Sequence, residues 1–292
     1  MSAESSLSAA EIEQAKQAII DRYGPWTAHN IHLGHGIYTL DNQSARDVRP
    51  RWLTQIVADI AHCPLSQLRI LDLACLEGWY AIEFALHGAE VVAIEGRKAS
   101  VEKVRFVKDI RHLDRLTIFQ DDVRNLSVAN YGQFDVILCL GILYHLDAPD
   151  VFQFIEQLVA CCRGFAIIDT HISLTQAVQQ TYQGQTYWGC YYKEHEENAS
   201  AEEREQATWA SLDNPKSFWL TRPSLVNCLH ASGFTSVYEC YKFSQGFASQ
   251  GIHDRLALLA MKGTPQPIYS SPLLDQLEVA GKWPEVASSQ DS

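Results

Sequence analysis

Apolar positions recur at helical spacing from Ala9 to Tyr23, where Gly24-Pro25 ends the pattern, and again from Arg51 to Ala61. The stretch between them, WTAHNIHLGHGIYTLDNQSARDVRPRW, is rich in His, Gly and aromatics and has no such period. From Leu68 short, almost wholly apolar runs alternate with amphipathic stretches. Strands are predicted over Arg69 to Ala74, Glu90 to Glu95, Leu116 to Gln120, Phe134 to Leu140 and Gly164 to Thr170. Helices are predicted over Tyr80 to His87, Ala99 to Ile110 and Pro149 to Cys161. Regular βα alternation with fully apolar strands predicts a parallel, doubly wound sheet with right-handed crossovers.

After Thr170 the alternation stops for about 50 residues. Thr181 to Asn214 is polar and aromatic at once, and the pattern predicts an irregular segment that covers or binds something. A helix over Ser224 to Ser232 with Gly233 in the stop position follows, and Thr235 to Tyr241 with Arg255 to Met261 read as a closing hairpin. The resulting division is an N-terminal helical cap over 1–62, a core over 63–172, an insertion over 173–222, the rest of the core over 223–262, and a Pro-, Ser- and Gln-rich tail over 263–292. The tail reads as a free end or as a linker to a further domain, and a homodimer is equally open.

Composition narrows the class. At 292 residues and 47% hydrophobic the chain can bury a large core. No apolar run reaches the roughly 18 residues that span a bilayer, and the N-terminus lacks a signal-peptide pattern, so a soluble cytoplasmic protein without membrane contact is expected. The eight cysteines form no CxxC pair and read as reduced thiols. No metal site is expected, because adjacent Glu194, His195 and Glu196 do not converge on one ion. A net charge of −12, from 23 basic against 35 acidic residues, argues against a nucleic-acid partner and for a small-molecule or peptide ligand.

The segment ILDLACLEGWYAIEFALHGAEVVAIEGR carries the strongest chemistry. An apolar strand ends in Asp72, a tight turn closes at Gly78, and a second strand ends in Glu95, 23 residues on. At that spacing a carboxylate can accept from both hydroxyls of a ribose. A dinucleotide enzyme would share this outline.

Further ordered motifs make the resemblance specific. Asp72 to Gly78, Glu95, Asp121-Asp122-Val123 and Phe134 to His145 together resemble the class I S-adenosylmethionine-dependent methyltransferases, over roughly Leu68 to Met261. The resemblance implies a Rossmann-like, mostly parallel seven-stranded α/β sheet and S-adenosyl-L-methionine as cofactor. It implies cofactor contacts from Asp72, Ala74, Cys75, Glu77, Gly78, Glu95, Gly96, Asp121, Asp122, Val123 and Leu140. Ala74 and Leu76 stand where that family usually has glycine, which leaves the loop's path open. The missing glycines are the one feature that would suit a non-catalytic nucleotide-binding scaffold.

Methyl transfer is an in-line displacement in which positioning does most of the work, and a hydroxyl acceptor also needs a base. His145, past the fourth core strand, is the first candidate and His171, past the fifth, the second. Tyr38, Tyr144, Tyr187, Trp188, Tyr191 and Trp219 are candidate acceptor contacts, and Arg222 a candidate carboxylate clamp. The stretches Tyr23 to Thr39, Leu143 to His145, and Ser217 to Thr221 with Ala231 to Phe234 resemble a branch related to the tRNA wobble-uridine carboxymethyltransferases, and natural-product methyltransferases share this broad pattern. The acidic charge favours O-methylation of a small specialised metabolite or modified peptide, with a modified tRNA as the alternative.

Overall fold

In the computed structural model, residues 7–40, 49–240 and 253–264 are described. Helix α1 (Ala9–Tyr23) starts at a capping box in which Ser8 and Glu11 satisfy each other's backbone N–H, and ends at Gly24. A small hairpin, β1 (His32–Gly34) and β2 (Ile37–Tyr38), and helix α2 (Arg49–Ala61) complete the N-terminal part.

The core then alternates as expected: β3 (Arg69–Leu73), α3 (Trp79–Leu86), β4 (Glu90–Glu95), α4 (Lys98–Ile110), β5 (Leu116–Gln120), a short α5 (Val128–Tyr131), β6 (Phe134–Leu140), α6 (Asp150–Cys161) and β7 (Cys162–His171). After β7 the chain departs from the sequence expectation. Instead of an irregular segment it forms β8 (Val178–Tyr182) and β9 (Gln185–Lys193), then α7 (Ala201–Gln206) and β10 (Lys216–Leu220). These strands make their own antiparallel sheet in the order β10-β9-β8. Helix α8 (Arg222–Ser232), β11 (Ser236–Glu239) and β12 (Arg255–Met261) close the described chain. The predicted tail lies almost wholly outside the described residues, as does Tyr241 at the end of a predicted strand.

The central sheet has seven strands in the order β11-β12-β7-β6-β3-β4-β5. Strands β7, β6, β3, β4 and β5 are parallel, and β12 runs antiparallel to both β7 and β11. Alternate residues serve opposite faces: Ile70, Val91, Val136 and Ile167 pack under α1 to α4, while Leu71, Val92, Ile137 and Ile168 pack under α6 and α8. Burial on both faces explains why these strands read as continuous apolar runs. Strand order reverses between β3 and β6, and at such a switch point the loops beyond the strand C-termini diverge to leave a crevice.

The insertion docks by aromatic packing. Phe152 of α6 stacks on Tyr182, with ring centroids 5.0 Å apart, and meets Tyr187 at 5.1 Å and Phe218 at 6.2 Å. Much of the aromatic density of this segment is therefore a satellite core that seats the small sheet on α6.

Candidate active site

The turn after β3 decides the shape of the crevice. Ala74 and Leu76 both adopt φ of 51°, and Gly78 follows at 79°. The loop thus takes left-handed conformations at the two positions where the family usually has glycine, and these side chains accept a strain of roughly 1–2 kcal/mol each. Hydrogen bonds lock that path. The Leu76 N–H donates to Glu95 Oε2 at 2.9 Å, Cys75 N–H to the Ile94 carbonyl at 3.2 Å, and Gly78 N–H to the Cys75 carbonyl at 2.8 Å. These three amides are thereby engaged within the protein rather than presented as a cradle for a ligand. Gly78 is needed twice over, since a Cβ there would lie 2.6 Å from Val104 Cγ2.

Asp72, 1% exposed, accepts from the Ala81 N–H at 3.1 Å and braces the first turn of α3. Burial pushes its carboxyl up to about 7, and the Ala81 hydrogen bond opposes that only in part. Glu95 is also buried, and burial raises its pKa against the hydrogen bonds it accepts from the Arg97 and Leu76 amides. A carboxylate has about four acceptor positions, so two remain on Glu95 after those backbone bonds.

Asp121 and Asp122, beyond β5, are held more tightly than sequence suggests. Asp121 accepts from Asn125 Nδ2, the Asp122 N–H and the Tyr131 hydroxyl. Asp122 caps the 3-10 turn Val123–Asn125 and pairs with the Arg124 guanidinium, whose Nε lies 3.0 Å from each of its oxygens.

One pocket joins these groups. From the predicted set it is lined by Asp72, Ala74, Cys75, Glu95, Gly96, Asp121, Asp122, Val123, Leu140, Tyr144 and His145. Nine predicted residues lie outside its lining. Glu77 is turned into the protein, where it accepts from the Thr27, Ala28 and His29 amides at 2.8, 3.0 and 3.0 Å and pairs with buried Lys103 at 3.1 Å. It acts as a staple that holds Ala28 and His29 at the pocket wall. Gly78 serves the loop's geometry, as above, and Tyr38 packs on His32 in the β1-β2 hairpin.

His171 sits behind the wall rather than in it. It stacks on Trp219 at 4.9 Å and meets the Tyr144 ring edge-on at 4.7 Å, with Nδ1 3.3 Å from Asp254 Oδ1. Burial, followed by the Arg255 charge, lowers its pKa. Trp219 donates its indole N–H to the Tyr144 carbonyl, so both residues support Tyr144 from outside. Tyr187 is buried against Phe152, and Trp188 and Tyr191 belong to the insertion's own sheet. Arg222 opens α8 and pairs with Glu239.

Thr208 to Asn214, expected only as part of a covering segment with none of its residues offered as a site residue, lines the pocket throughout. Two arginines fasten it. Arg97 Nη2 donates to the Ala207 and Ala210 carbonyls, both at 2.9 Å, and Nε to that of Glu205 at 3.2 Å. Arg124 bridges Asp122 and Asp150 of the core to Asp213 of the insertion. At the other end of the wall Asn214 Nδ2 donates to the His145 carbonyl at 3.0 Å. The reach of these contacts, 89 to 113 residues along the chain for Arg97 and Arg124, leaves no local signal. Arg255, paired with Asp169 at 2.7 Å, and Arg49 complete the lining near Tyr144.

His145 closes the 3-10 turn Leu143–His145 after β6. Its Nδ1 lies 3.0 Å from both oxygens of Glu194, which stands just past β9. Among the described residues no group of His, Cys, Asp or Glu is arranged to hold a metal ion. Nor is any described helix long and apolar enough to cross a membrane.

Residues 70–164 match a family model described as a methyltransferase domain. That stretch of the core resembles a methyltransferase domain. Over 108 residues the chain is 33% identical to the ubiquinone biosynthesis O-methyltransferase of Rickettsia prowazekii (strain Madrid E), covering 36% of this chain and 41% of that protein. Over 159 residues it is 30% identical to the tRNA U34 carboxymethyltransferase of Helicobacter hepaticus (strain ATCC 51449 / 3B1), covering 52% and 46%. The chain thus spans less than half the length of these curated relatives. Among solved structures, the N-terminal domain of EvdMO1, crystallised in the presence of SAH and D-fucose, superposes with a TM-score of 0.66 at 19% identity, over 88% of this chain and 98% of that one. That likeness shows the fold.

The residues that line this pocket fit S-adenosyl-L-methionine, the cofactor that the sequence resemblance implies. Glu95 keeps acceptor capacity for a ribose diol at the pocket wall. Asp72 places a buried acid whose charge a bound ammonium would restore. Asp121 and Asp122, though braced by neighbours, also line the pocket and add carboxylate acceptors of the kind an adenine amino group would need.

Proposed function

We propose that this chain is an S-adenosylmethionine-dependent methyltransferase that methylates a hydroxyl or carboxyl oxygen of a small specialised metabolite or modified peptide. The observation that carries this reading is that one pocket is lined both by the buried acid Glu95 and by His145, a histidine paired with a carboxylate. The cofactor supplies a methyl group on a sulfonium centre, which an acceptor oxygen takes in line as the neutral thioether leaves. Glu95 binds the ribose, and Asp121 or Asp122 the adenine. For a hydroxyl acceptor His145 takes the proton; a carboxylate acceptor needs only to be oriented. Exposed Trp209, at the pocket's lining, gives a flat apolar contact suited to a small organic acceptor.

Calorimetry with S-adenosylhomocysteine tests the cofactor half. Wild type is expected to bind and Glu95→Ala to lose at least tenfold in affinity; equal affinity would overturn the assignment. Transfer of labelled methyl groups to a panel of hydroxyl- and carboxyl-bearing metabolites tests the acceptor half, and undiminished transfer by His145→Gln to every hydroxyl substrate would remove His145 as base.

The longer match to a tRNA U34 carboxymethyltransferase favours tRNA as a second acceptor reading. The net charge of −12 stands against it. Mobility shift with bulk tRNA separates the two, since a tRNA enzyme should bind with a steep dependence on salt.

A further inference from the structure

We propose that Glu194 is the positioning residue for His145, so that the insertion supplies the group which aims the core's base. This rests on the reading of His145 as base given above. The two residues come from different parts of the molecule: His145 from the turn after β6, Glu194 from the strand end of the small sheet. Both Glu194 oxygens lie 3.0 Å from His145 Nδ1. The carboxylate is itself immobilised, with a side chain 1% exposed. Ser217 Oγ donates to its Oε1 at 2.7 Å and the Ser211 N–H to its Oε2 at 2.9 Å.

These contacts fix the proton on the ring. Burial pushes the Glu194 carboxyl up, but the hydrogen bonds from His145, Ser217 and the Ser211 amide outweigh that and hold it below the usual carboxylate range. An ionised carboxylate only accepts, so Nδ1 must donate, and the lone pair of neutral His145 is left on Nε2. When Nε2 takes the hydroxyl proton, the acceptor oxygen bonds the methyl carbon as the carbon–sulfur bond breaks, and the imidazolium faces a carboxylate that stays ionised. The same outer contact fixes ring orientation, as partners of the second imidazole nitrogen do in other sites.

The other neighbours of the ring do not compete for Nδ1. Tyr144 packs against it with centroids 4.3 Å apart, and beyond Tyr144 lie His171 and the Asp169–Arg255 pair. Asn214 binds the His145 carbonyl, which ties the insertion to the backbone of the base as well as to its ring.

Nitrogen-15 NMR of histidine-labelled full-length protein, with S-adenosylhomocysteine present, tests the proposal without an identified acceptor. Wild-type His145 is expected in the Nδ1–H tautomer, the minor form of free histidine. Glu194→Ala removes the acceptor at Nδ1, and the Nδ1–H fraction of His145 is expected to fall toward the minor share it has in free histidine. An Nε2–H tautomer in wild type, or an unchanged Nδ1–H fraction in a folded Glu194→Ala protein, would overturn the proposal. Those outcomes concern proton placement alone, whereas the base assignment stands or falls on methyl transfer by His145→Gln.

Discussion

The two walls of the pocket are built in opposite ways. The core wall, from Asp72 to Gly78 and Glu95 to Arg97, is held by backbone amides bonded to neighbouring carbonyls and to the Glu95 carboxylate, along a path with left-handed turns at Ala74, Leu76 and Gly78. The insertion wall, Thr208 to Asn214, has no strand of its own and is tied to the core by Arg97, Arg124 and its own Asn214. A wall of the first kind is rigid by backbone closure; one of the second kind depends on a few side chains that a single substitution can remove. The difference predicts that damage to the core wall costs global stability, whereas damage to the insertion wall costs local order.

The largest effect is expected at Gly78. Substitution by Ala adds positive-φ strain of roughly 1–2 kcal/mol and a clash with Val104 of similar size, so a loss of about 2–4 kcal/mol is expected by chemical denaturation. A loss under 1 kcal/mol would mean that the core wall yields, and the contrast with the insertion would fail.

Arg97→Ala probes the other wall. Hydrogen bonds from a charged group are worth about 1.5–3 kcal/mol. At about 2 kcal/mol, hydrogen exchange at the Ala207, Ala210 and Ser211 amides should quicken roughly thirtyfold, while β3 and β6 amides stay protected. Acceleration spread evenly over the core strands would show that the two walls unfold together.

These two walls also mark how far the sequence could be read. Apolar runs such as Ile70 to Leu73 and Val91 to Ile94 are buried on both sides, so strand type, order and sheet were legible from pattern, as were Asp72, Glu95 and His145 at their strand ends. The small sheet was not: β8 reads Val-Gln-Gln-Thr-Tyr, exposed on one face and only half-buried on the other, and its turn at Gln183-Gly184 is a weak signal amid polar residues. Glu77 was misplaced because spacing puts it in the loop but cannot say which way a side chain turns. Glu194 was seen only as a member of a charged run, since its partners His145, Ser211 and Ser217 meet it through tertiary packing.

Asp72 gives a pH test of the core wall. With its carboxyl pushed up to about 7, the acid is mostly neutral at pH 6, and binding a cationic ammonium requires ionisation. Affinity for S-adenosylhomocysteine, whose amino group is charged throughout, should therefore rise about tenfold from pH 6 to pH 8 and then level off. The stability of the free protein should move the other way. A folded-state pKa above the unfolded one contributes stability fully present below the ordinary Asp range and lost as pH rises through about 7. Asp72→Asn should flatten both slopes, and a slope that persists in that variant would assign the titration elsewhere.

The smallest effect is expected at Ala74, and it decides whether the missing glycines matter. At φ of 51° alanine carries strain of roughly 1 kcal/mol, and glycine would relieve it. Glycine also makes the unfolded chain more flexible, which costs roughly 0.4–1 kcal/mol. The two nearly cancel, so Ala74→Gly should change stability by less than about 0.5 kcal/mol and leave affinity for S-adenosylhomocysteine within threefold. Because the Cys75, Leu76 and Gly78 amides and Glu95 already hold the turn, its path does not depend on which residue stands at 74. A gain of tenfold or more in affinity on substitution by glycine would show instead that the alanine methyl group crowds the ligand, and that the core wall is shaped by its side chains as much as by its backbone.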